Sequence, residues 1–173
     1  PEPIADFFDL FYMGEGEVVY DRMLDLYQEM KRAGRSRREF LHEAAKIPGI
    51  YVPSLYQVEY KEDGTIASFT PVDEEIPATV TKQLVMDMTD AVYPVVPFIK
   101  ATQDRVVLEI QRGCIRGCRF CQAGMVYRPV REKNIERLKA LATQMIEATG
   151  YEEISLSSLS SSDYSSLEEL VNF

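Results

Sequence analysis

The amino-acid sequence predicts an α/β protein whose C-terminal part begins a parallel sheet. Three observations support this prediction. A strand-like run at 105–111 leads into a cysteine-containing segment, apolar residues recur at helical spacing from 135 to 149, and a second strand-like run follows at 153–157. A strand, a helix and a strand of this length imply parallel strands joined by a right-handed crossover. Units of this kind close into barrels or form open α/β sheets.

The composition is that of one ordinary domain and excludes several classes of protein. The 173 residues are 46% apolar, and 19 Lys and Arg against 28 Asp and Glu give a net charge of −9. We do not expect such an acidic chain to coat nucleic acid or a membrane with its whole body. The sequence holds no apolar run near the ~20 residues that span a bilayer, and no basic leader. Because the chain starts at Pro1 rather than Met, we expect a fragment.

The N-terminal third predicts a short strand followed by two helices. Acidic and apolar residues alternate over Ile4–Met13, which suggests a buried strand. A helix closed by Gly34 should follow, because apolar residues recur at helical spacing. Its apolar positions are Val18, Val19, Met23, Leu26, Tyr27 and Met30. Ser36 and Glu39 have the spacing of a capping box, which predicts a second, shorter helix.

The middle of the chain predicts a hairpin and then an irregular connector. Residues 55–60 and 65–70 are strand-like, and Lys61–Gly64 supplies the turn between them. Four prolines between 71 and 97 block long regular elements. Beyond this connector, the strand at 105–111, a helix ending at Gly150, the strand at 153–157 and a helix starting at 167–171 complete the pattern.

All three cysteines fall within eight residues, as Cys114, Cys118 and Cys121. An odd number of clustered thiols does not fit a secreted disulfide framework and favours a reducing compartment, the cytoplasm. Thiolates suit iron–sulfur clusters and zinc, but structural zinc usually takes four ligands in two separated pairs. The sequence has no second pair, and its one histidine, His42, lies far upstream. Three ligands on a [4Fe–4S] cluster would leave one iron open, whereas zinc or inert thiols are the alternatives.

The spacing Cys-x3-Cys-x2-Cys, with Phe120 before the last cysteine and a strand before the first, resembles the radical S-adenosylmethionine (radical SAM) superfamily. The resemblance implies that the open iron binds S-adenosylmethionine, and that an electron from the cluster cleaves it to methionine and a 5′-deoxyadenosyl radical. It implies that the three cysteines bind the cluster and that Phe120 and Gln122 lie at the adenine. The implied partners are an electron donor such as a flavodoxin or ferredoxin and a small-molecule or RNA substrate.

The wider sequence resembles one branch of the superfamily that carries a cobalamin-binding-type domain before the radical domain. EIQRGCIRGCRFCQAG at 109–124 and YRPVRE at 127–132 support this most closely, and 9–17 and 150–160 agree with it. The resemblance implies the tail of a cobalamin-binding-type α/β domain at 1–48 and a linker with a β-hairpin at 49–100. It implies the truncated start of a partial (β/α) barrel of the radical SAM type at 101–173. The resemblance also implies cobalamin as a further cofactor of the longer protein.

A truncated barrel has two expected consequences. The chain alone should lack full activity, since the substrate-binding tail of the barrel lies outside it. Its exposed strand edges and apolar surface should also lead to self-association.

Seven serines lie between 157 and 166, and they permit three interpretations. They could form a low-complexity linker, or cap a helix, since Ser165 and Ser166 each precede a glutamate by three residues. In the superfamily, the end of the second strand meets the amino group of S-adenosylmethionine, often through a Gly-Gly-Glu segment that is absent here. As the third interpretation, the resemblance therefore assigns the contact with this amino group to Ser157, Ser158, Ser160 or Asp163.

The segment from Arg112 to Lys139 is locally basic, with eight Lys or Arg against Glu132 and Glu136. Three thiolates and a ligand carboxylate would favour such a collar. A solvated helix face explains Lys133, Arg137 and Lys139 equally well.

Three other functions fit parts of the pattern. A methyl- or methylthio-transferase of the same superfamily acting on RNA is the enzymatic alternative. A non-catalytic zinc or iron–sulfur module is the alternative outside enzymes, although either module normally takes a fourth ligand.

Overall fold

The computed structural model describes residues 1–88, 94–100, 102 and 104–173. Its contacts divide the chain into two compact units, Pro1–Val85 and Met86–Phe173. The hairpin belongs to the first of these units, and the three-part division at 1–48, 49–100 and 101–173 stays a prediction. In the described part of the chain, the helices are too short or too polar to cross a membrane.

Two helices of the first unit confirm the sequence prediction. Helix α1 spans Tyr20–Arg32 and α2 spans Arg37–Ala44. The chain leaves α1 through Gly34, whose φ of +66° is the left-handed conformation that ends many helices. The capping box forms as predicted, because the Ser36 hydroxyl accepts the Glu39 N–H and the Glu39 carboxylate accepts the Ser36 N–H at 2.8 Å.

The strands of the first unit form two antiparallel pairs. Strand β1 (Phe11–Tyr12) pairs with β2 (Ile50–Tyr51), and β3 (Tyr56–Tyr60) pairs with β4 (Ile66–Pro71) as the predicted hairpin. The buried strand predicted over Ile4–Met13 forms only at Phe11–Tyr12, where both residues are partly buried, and the prediction is wrong for the start of that range. Residues Glu2–Phe7 form a 3-10 helix, which Pro3 can start because its ring fixes φ. Phe7 is 82% exposed, so the alternation there does not mark a buried face.

The core of the first unit gathers apolar side chains from both helices and both strand pairs. Its buried residues are Val19, Ala44, Ala45, Ile47, Ile50, Tyr51, Val52, Leu55, Tyr56 and Ile76. Most of them lie between 44 and 56, so the segment after α2 is the centre of this unit.

The second unit contains the predicted strand–helix–strand element. Strand β5 (Val106–Glu109) is followed by β6 (Gln111–Arg112), the short helix α3 (Ala123–Val126) and β7 (Arg131–Glu132). Helix α4 (Ile135–Thr149), strand β8 (Ile154–Ser157) and helix α5 (Leu167–Val171) complete it. Strands β5 and β8 are parallel, as predicted, with Val106 opposite Ile154 and Glu109 opposite Ser157.

Helix α4 is bounded by local signals and buries one face against β5. The Asn134 side chain accepts the backbone N–H groups of Glu136 and Arg137, and Gly150 ends the helix with a φ of +72°. The buried residues of this core are Val106, Leu108, Ile110, Leu138, Leu141, Ala142, Met145, Tyr164 and Leu170.

The single strand predicted over 105–111 is divided at Ile110, which is fully buried. The Ile110 N–H donates to the Ser157 carbonyl, whereas its own carbonyl accepts the Lys133 N–H. The chain thus changes partner at this residue, from β8 to the segment before α4. After this change of partner, the chain leaves the parallel pair and enters the segment that contains the three cysteines.

Candidate metal and cofactor site

The three cysteines lie in a loop whose two ends are held together. Strands β6 and β7 pair antiparallel, with Gln111 opposite Glu132 and Arg112 opposite Arg131. We call residues 113–130 the cysteine loop. It starts directly after β6, which follows β5 with only Ile110 between them, so the buried Ile110 and the strand pairs fix the position of its base.

Gly113 makes the first turn of the cysteine loop possible. Its φ is +85°, a conformation that side chains rarely adopt. A Cβ at this position would lie 2.6 Å from the Pro129 carbonyl oxygen and 2.8 Å from that of Tyr127. The outgoing and returning halves of the loop therefore approach too closely for any other residue.

The three thiols of the cysteine loop are free. Cys114 and Cys121 are partly buried and Cys118 is exposed. The Cys114 sulfur accepts the Arg116 N–H at 3.4 Å, and the Cys121 N–H donates to the Cys118 carbonyl at 3.1 Å. Gly124 adds no side chain near Cys121, since a Cβ there would lie 4.0 Å from the sulfur.

The number of thiols in the loop bears on the kind of metal. The sequence has three cysteines, all of them free and all in this loop. A structural zinc ion usually takes four protein ligands in a tetrahedral arrangement. An iron–sulfur cluster is held by thiolates, and three of them leave one iron of a [4Fe–4S] cluster without a protein ligand. The donor set of this loop therefore fits a cluster better than a structural zinc ion.

The loop after β8 lies beside the cysteine loop, because parallel strands end at the same edge of a sheet. The Arg116 guanidinium donates through Nε to one Asp163 carboxylate oxygen at 2.9 Å and through a second nitrogen to the other. Hydrogen bonds from Arg116 and from the Ser160 hydroxyl lower the pKa of Asp163. The Asp163 side chain is only 10% exposed, although Arg116 is 61% exposed.

The serines named by the sequence fall into this second loop. The hydroxyls of Ser158 and Ser161 are 2.9 Å apart, and Ser160 donates its hydroxyl to Asp163 at 2.8 Å. Ser157 ends β8 and is exposed. The helix-capping interpretation is wrong for Ser166, which precedes α5 but makes no side-chain cap bond. The N–H of Ser165 instead donates to Glu132.

Gln111 is a site residue that sequence reasoning missed. Its Nε2 donates to the Ser160 carbonyl at 2.6 Å, which ties the start of the cysteine loop to the serine-containing loop. The side chain is buried, and its carboxamide oxygen has no hydrogen-bond partner among the described residues. A buried acceptor of this kind costs about 1–3 kcal/mol unless a donor pairs with it. A glutamine at a strand end carries no sequence signal for such a contact.

The two residues expected at the adenine are exposed. Phe120 is 92% exposed, and Gln122 lies exposed at the N-terminus of α3. An aromatic ring left in water beside three thiols is available for stacking against a flat base. Their contact with a ligand stays a prediction.

The basic collar divides into buried and solvated cations. The solvated-helix interpretation is wrong for Lys133, which is buried with its Nζ 3.9 Å from the Glu109 carboxylate. Arg131 is also buried, and its Nε donates to the Pro129 carbonyl at 3.2 Å. These two cations stabilise the base of the cysteine loop. Lys139 does form the predicted kind of surface pair, with Glu136 and Glu169.

His42 belongs to a separate polar cluster in the first unit. Its Nε2 lies 3.0 Å from the Asp73 carboxylate, and Glu43 and Glu75 complete a group of potential metal ligands. The Lys46 ammonium donates to Glu43 at 2.8 Å and to Glu75 at 2.5 Å. Because Lys46 already neutralises these carboxylates, the cluster is a salt-bridge network.

Both ends of the chain match family models. Residues 108–173 match the radical SAM superfamily, and residues 1–53 match the N-terminal region of radical SAM proteins. The chain belongs to the radical SAM superfamily. The match at residues 1–53 lies within the first unit, and its description does not mention cobalamin. Membership implies an enzyme family that uses a [4Fe–4S] cluster and S-adenosylmethionine.

One relative aligns with nearly the whole chain. The uncharacterized protein MJ0966 of Methanocaldococcus jannaschii is 30% identical over 171 residues, which is 99% of this chain and 31% of that protein. The chain thus spans about a third of the length of the curated relative it matches. No solved structure matches the chain.

Proposed function

We propose that this chain is part of a radical SAM enzyme in which Cys114, Cys118 and Cys121 bind a [4Fe–4S] cluster that leaves one iron open for S-adenosylmethionine. The observation that carries this proposal is the arrangement of the three thiols. They lie together in one loop just beyond the carboxyl end of a parallel strand, and the sequence has no fourth cysteine. When bound, the reduced cluster supplies the electron that cleaves S-adenosylmethionine to methionine and a 5′-deoxyadenosyl radical.

The surroundings of the thiols support cluster binding. Three thiolates carry negative charge, and Arg116 and Arg119 lie in the same loop beside them. The backbone N–H of Arg116 already donates to the Cys114 sulfur, as hydrogen bonds to cluster sulfurs commonly do. Gly124 places no side chain against Cys121, since a Cβ there would lie 4.0 Å from the sulfur.

The second loop and the exposed face of the cysteine loop support the cofactor assignment. We propose that Phe120 stacks against the adenine and that the backbone and side chain of Gln122 bind its polar edge. Ser157, Ser158, Ser160 or Asp163 would accept hydrogen bonds from the amino group, since hydroxyl and carboxylate oxygens suit an ammonium. The hydrogen bonds of Ser160 and Arg116 to Asp163 keep these acceptors next to the cysteine loop.

The remaining parts of the proposal concern the longer protein. The enzyme would work in the cytoplasm, receive its electron from a flavodoxin or ferredoxin, and act on a small-molecule or RNA substrate. A partial (β/α) barrel would continue from the parallel pair β5 and β8. The resemblance of residues 9–17 to a cobalamin-binding-type domain supports cobalamin as a further cofactor.

The test is formation of 5′-deoxyadenosine. The chain is reconstituted with iron and sulfide without oxygen, then given dithionite and S-adenosylmethionine. We expect 5′-deoxyadenosine from the unmodified chain and none from Cys118→Ala. Gly117→Ala is the matched control in the same loop, because a Cβ there meets nothing within 4 Å. Equal product from Cys118→Ala, or none from a chain that holds four irons and S-adenosylmethionine, would contradict the proposal.

A further inference from the structure

Within residues 114–122 of the cysteine loop, Arg116 differs from the other polar side chains in being attached to a residue far along the chain, Asp163. In the described part of the chain, it alone among these side chains reaches a distant residue by a hydrogen bond or ion pair. Arg119, three residues later, is exposed and makes no such contact within the described residues. The two arginines thus share a loop and a charge but differ in attachment.

The partner of Arg116 is held firmly by the frame of the second unit. Asp163 closes a 3-10 turn in which its N–H donates to the Ser160 carbonyl at 3.0 Å. The same carbonyl accepts the Gln111 side chain, and the Ser160 hydroxyl donates to Asp163. The next residue, Tyr164, is buried and donates its hydroxyl to the Lys133 carbonyl. Asp163 is therefore fixed on the core side, whereas Arg116 stands on the exposed side.

We infer that Asp163 is a positioning residue. Through a two-point ion pair with Arg116, it holds the segment between Cys114 and Cys118 in the conformation that receives the cluster. The planar guanidinium fixes an angle as well as a distance, which a single-point lysine contact does not. Arg116 lies midway between two ligands, so anchoring it restricts both thiols. This inference rests on the proposed function.

The positioning role inferred for Asp163 differs from direct contact with a bound cofactor. Both oxygens of Asp163 accept hydrogen bonds from Arg116, so the carboxylate acts first on the chain itself. Cluster binding then meets a loop already ordered, and less conformational entropy is lost when the thiolates bind. Without the ion pair, the exposed segment would keep the hydrogen bond from Arg128 to the Arg116 carbonyl at 3.3 Å but would lose its two-point attachment to the Asp163 carboxylate.

The first test uses the chain without metal and follows hydrogen exchange of the backbone of residues 114–124 by mass spectrometry. We expect Asp163→Asn and Arg116→Gln each to speed exchange about three- to tenfold, the range for a partly exposed two-point ion pair. The double variant should be no faster than the single ones. Glu169→Gln and Arg119→Gln remove the same charges without removing this pair, and should exchange as the unmodified chain does.

The second test measures release of iron to a chelator after reconstitution. Asp163→Asn should lose iron about three- to tenfold faster than Glu169→Gln, in proportion to the loss of loop order. Unchanged exchange in Asp163→Asn, equal effects of Arg119→Gln and Arg116→Gln, or unchanged iron release would overturn the inference. If the unmodified chain binds no iron, the proposed function fails, whereas the exchange result still decides whether Asp163 orders the loop.

Discussion

Substitution of Gly113 by alanine isolates the close approach that closes the cysteine loop. The left-handed φ of +85° costs an alanine about 1–2 kcal/mol. The new Cβ would also lie 2.6 Å from a backbone oxygen, so the two halves of the loop must separate. Overpacking of this kind costs about 1–3 kcal/mol. We therefore expect Gly113→Ala to destabilise the second unit by about 2–5 kcal/mol.

Two other glycines provide matched controls for this prediction. Gly150 has a φ of +72°, but a Cβ there would meet nothing within 4 Å, so Gly150→Ala bears only the conformational cost of about 1–2 kcal/mol. Gly117 lies in the cysteine loop without a left-handed φ or a close neighbour, so Gly117→Ala should change stability by less than about 0.5 kcal/mol.

The assay is urea unfolding followed by circular dichroism, with hydrogen exchange of β5 and α4 to assign the change to the second unit. The expected order of destabilisation is Gly113→Ala, then Gly150→Ala, then Gly117→Ala. If Gly113→Ala proves no more destabilising than Gly150→Ala, the close approach to Pro129 and Tyr127 makes no contribution and the reasoning is refuted.

Three further predictions concern the caps, the core and the surface. Ser36→Ala should destabilise α2 by about 1 kcal/mol in urea unfolding. Hydrogen bonds from Ser36 lower the pKa of Glu39, so the capping box should be intact above the ordinary glutamate pKa and be lost as the pH falls through the lowered pKa. Helicity that does not change over that pH range would contradict this prediction. Leu138→Ala should destabilise the second unit by about 2–5 kcal/mol, because Leu138 is fully buried. Met86→Ala, at an exposed position, should change the stability by less than about 0.5 kcal/mol. Equal effects of the two substitutions in urea unfolding would refute this prediction. The chain should self-associate through exposed apolar groups such as Phe98, so light scattering should show a mass that rises with concentration, and a monomer throughout would count against it.

Local patterns predicted most of the regular elements. Helix α2 follows from the spacing of Ser36 and Glu39, and the end of α4 from Gly150, because caps depend on residues adjacent in sequence. The 3-10 helix at Glu2–Phe7 was missed because alternation alone does not require burial. The division of the strand at Ile110 depends on two partners far along the chain, which periodicity does not contain.

The candidate site was predictable in its ligands but not in its supports. The spacing of the three cysteines is a local pattern and needed no tertiary information. Arg116 and Asp163 are 47 residues apart, and Gln111 and Ser160 are 49 apart. Each contact arises because parallel strands bring two loops to one edge of the sheet. The burial of Lys133 likewise follows from the pairing of β7 with β6, which ends next to Lys133. The spacing of Lys133 from the charged residues of α4 does not contain that information.

The central claim is that three thiols of one loop hold a [4Fe–4S] cluster with an open iron. It is tested most directly by anaerobic reconstitution, iron and sulfide analysis, and electron paramagnetic resonance of the reduced protein before and after addition of S-adenosylmethionine. We predict about four irons per chain, a changed spectrum with S-adenosylmethionine, and loss of the cluster in Cys118→Ala but not in Gly117→Ala. Bound zinc, no metal, or a cluster that survives Cys118→Ala unchanged would contradict the account.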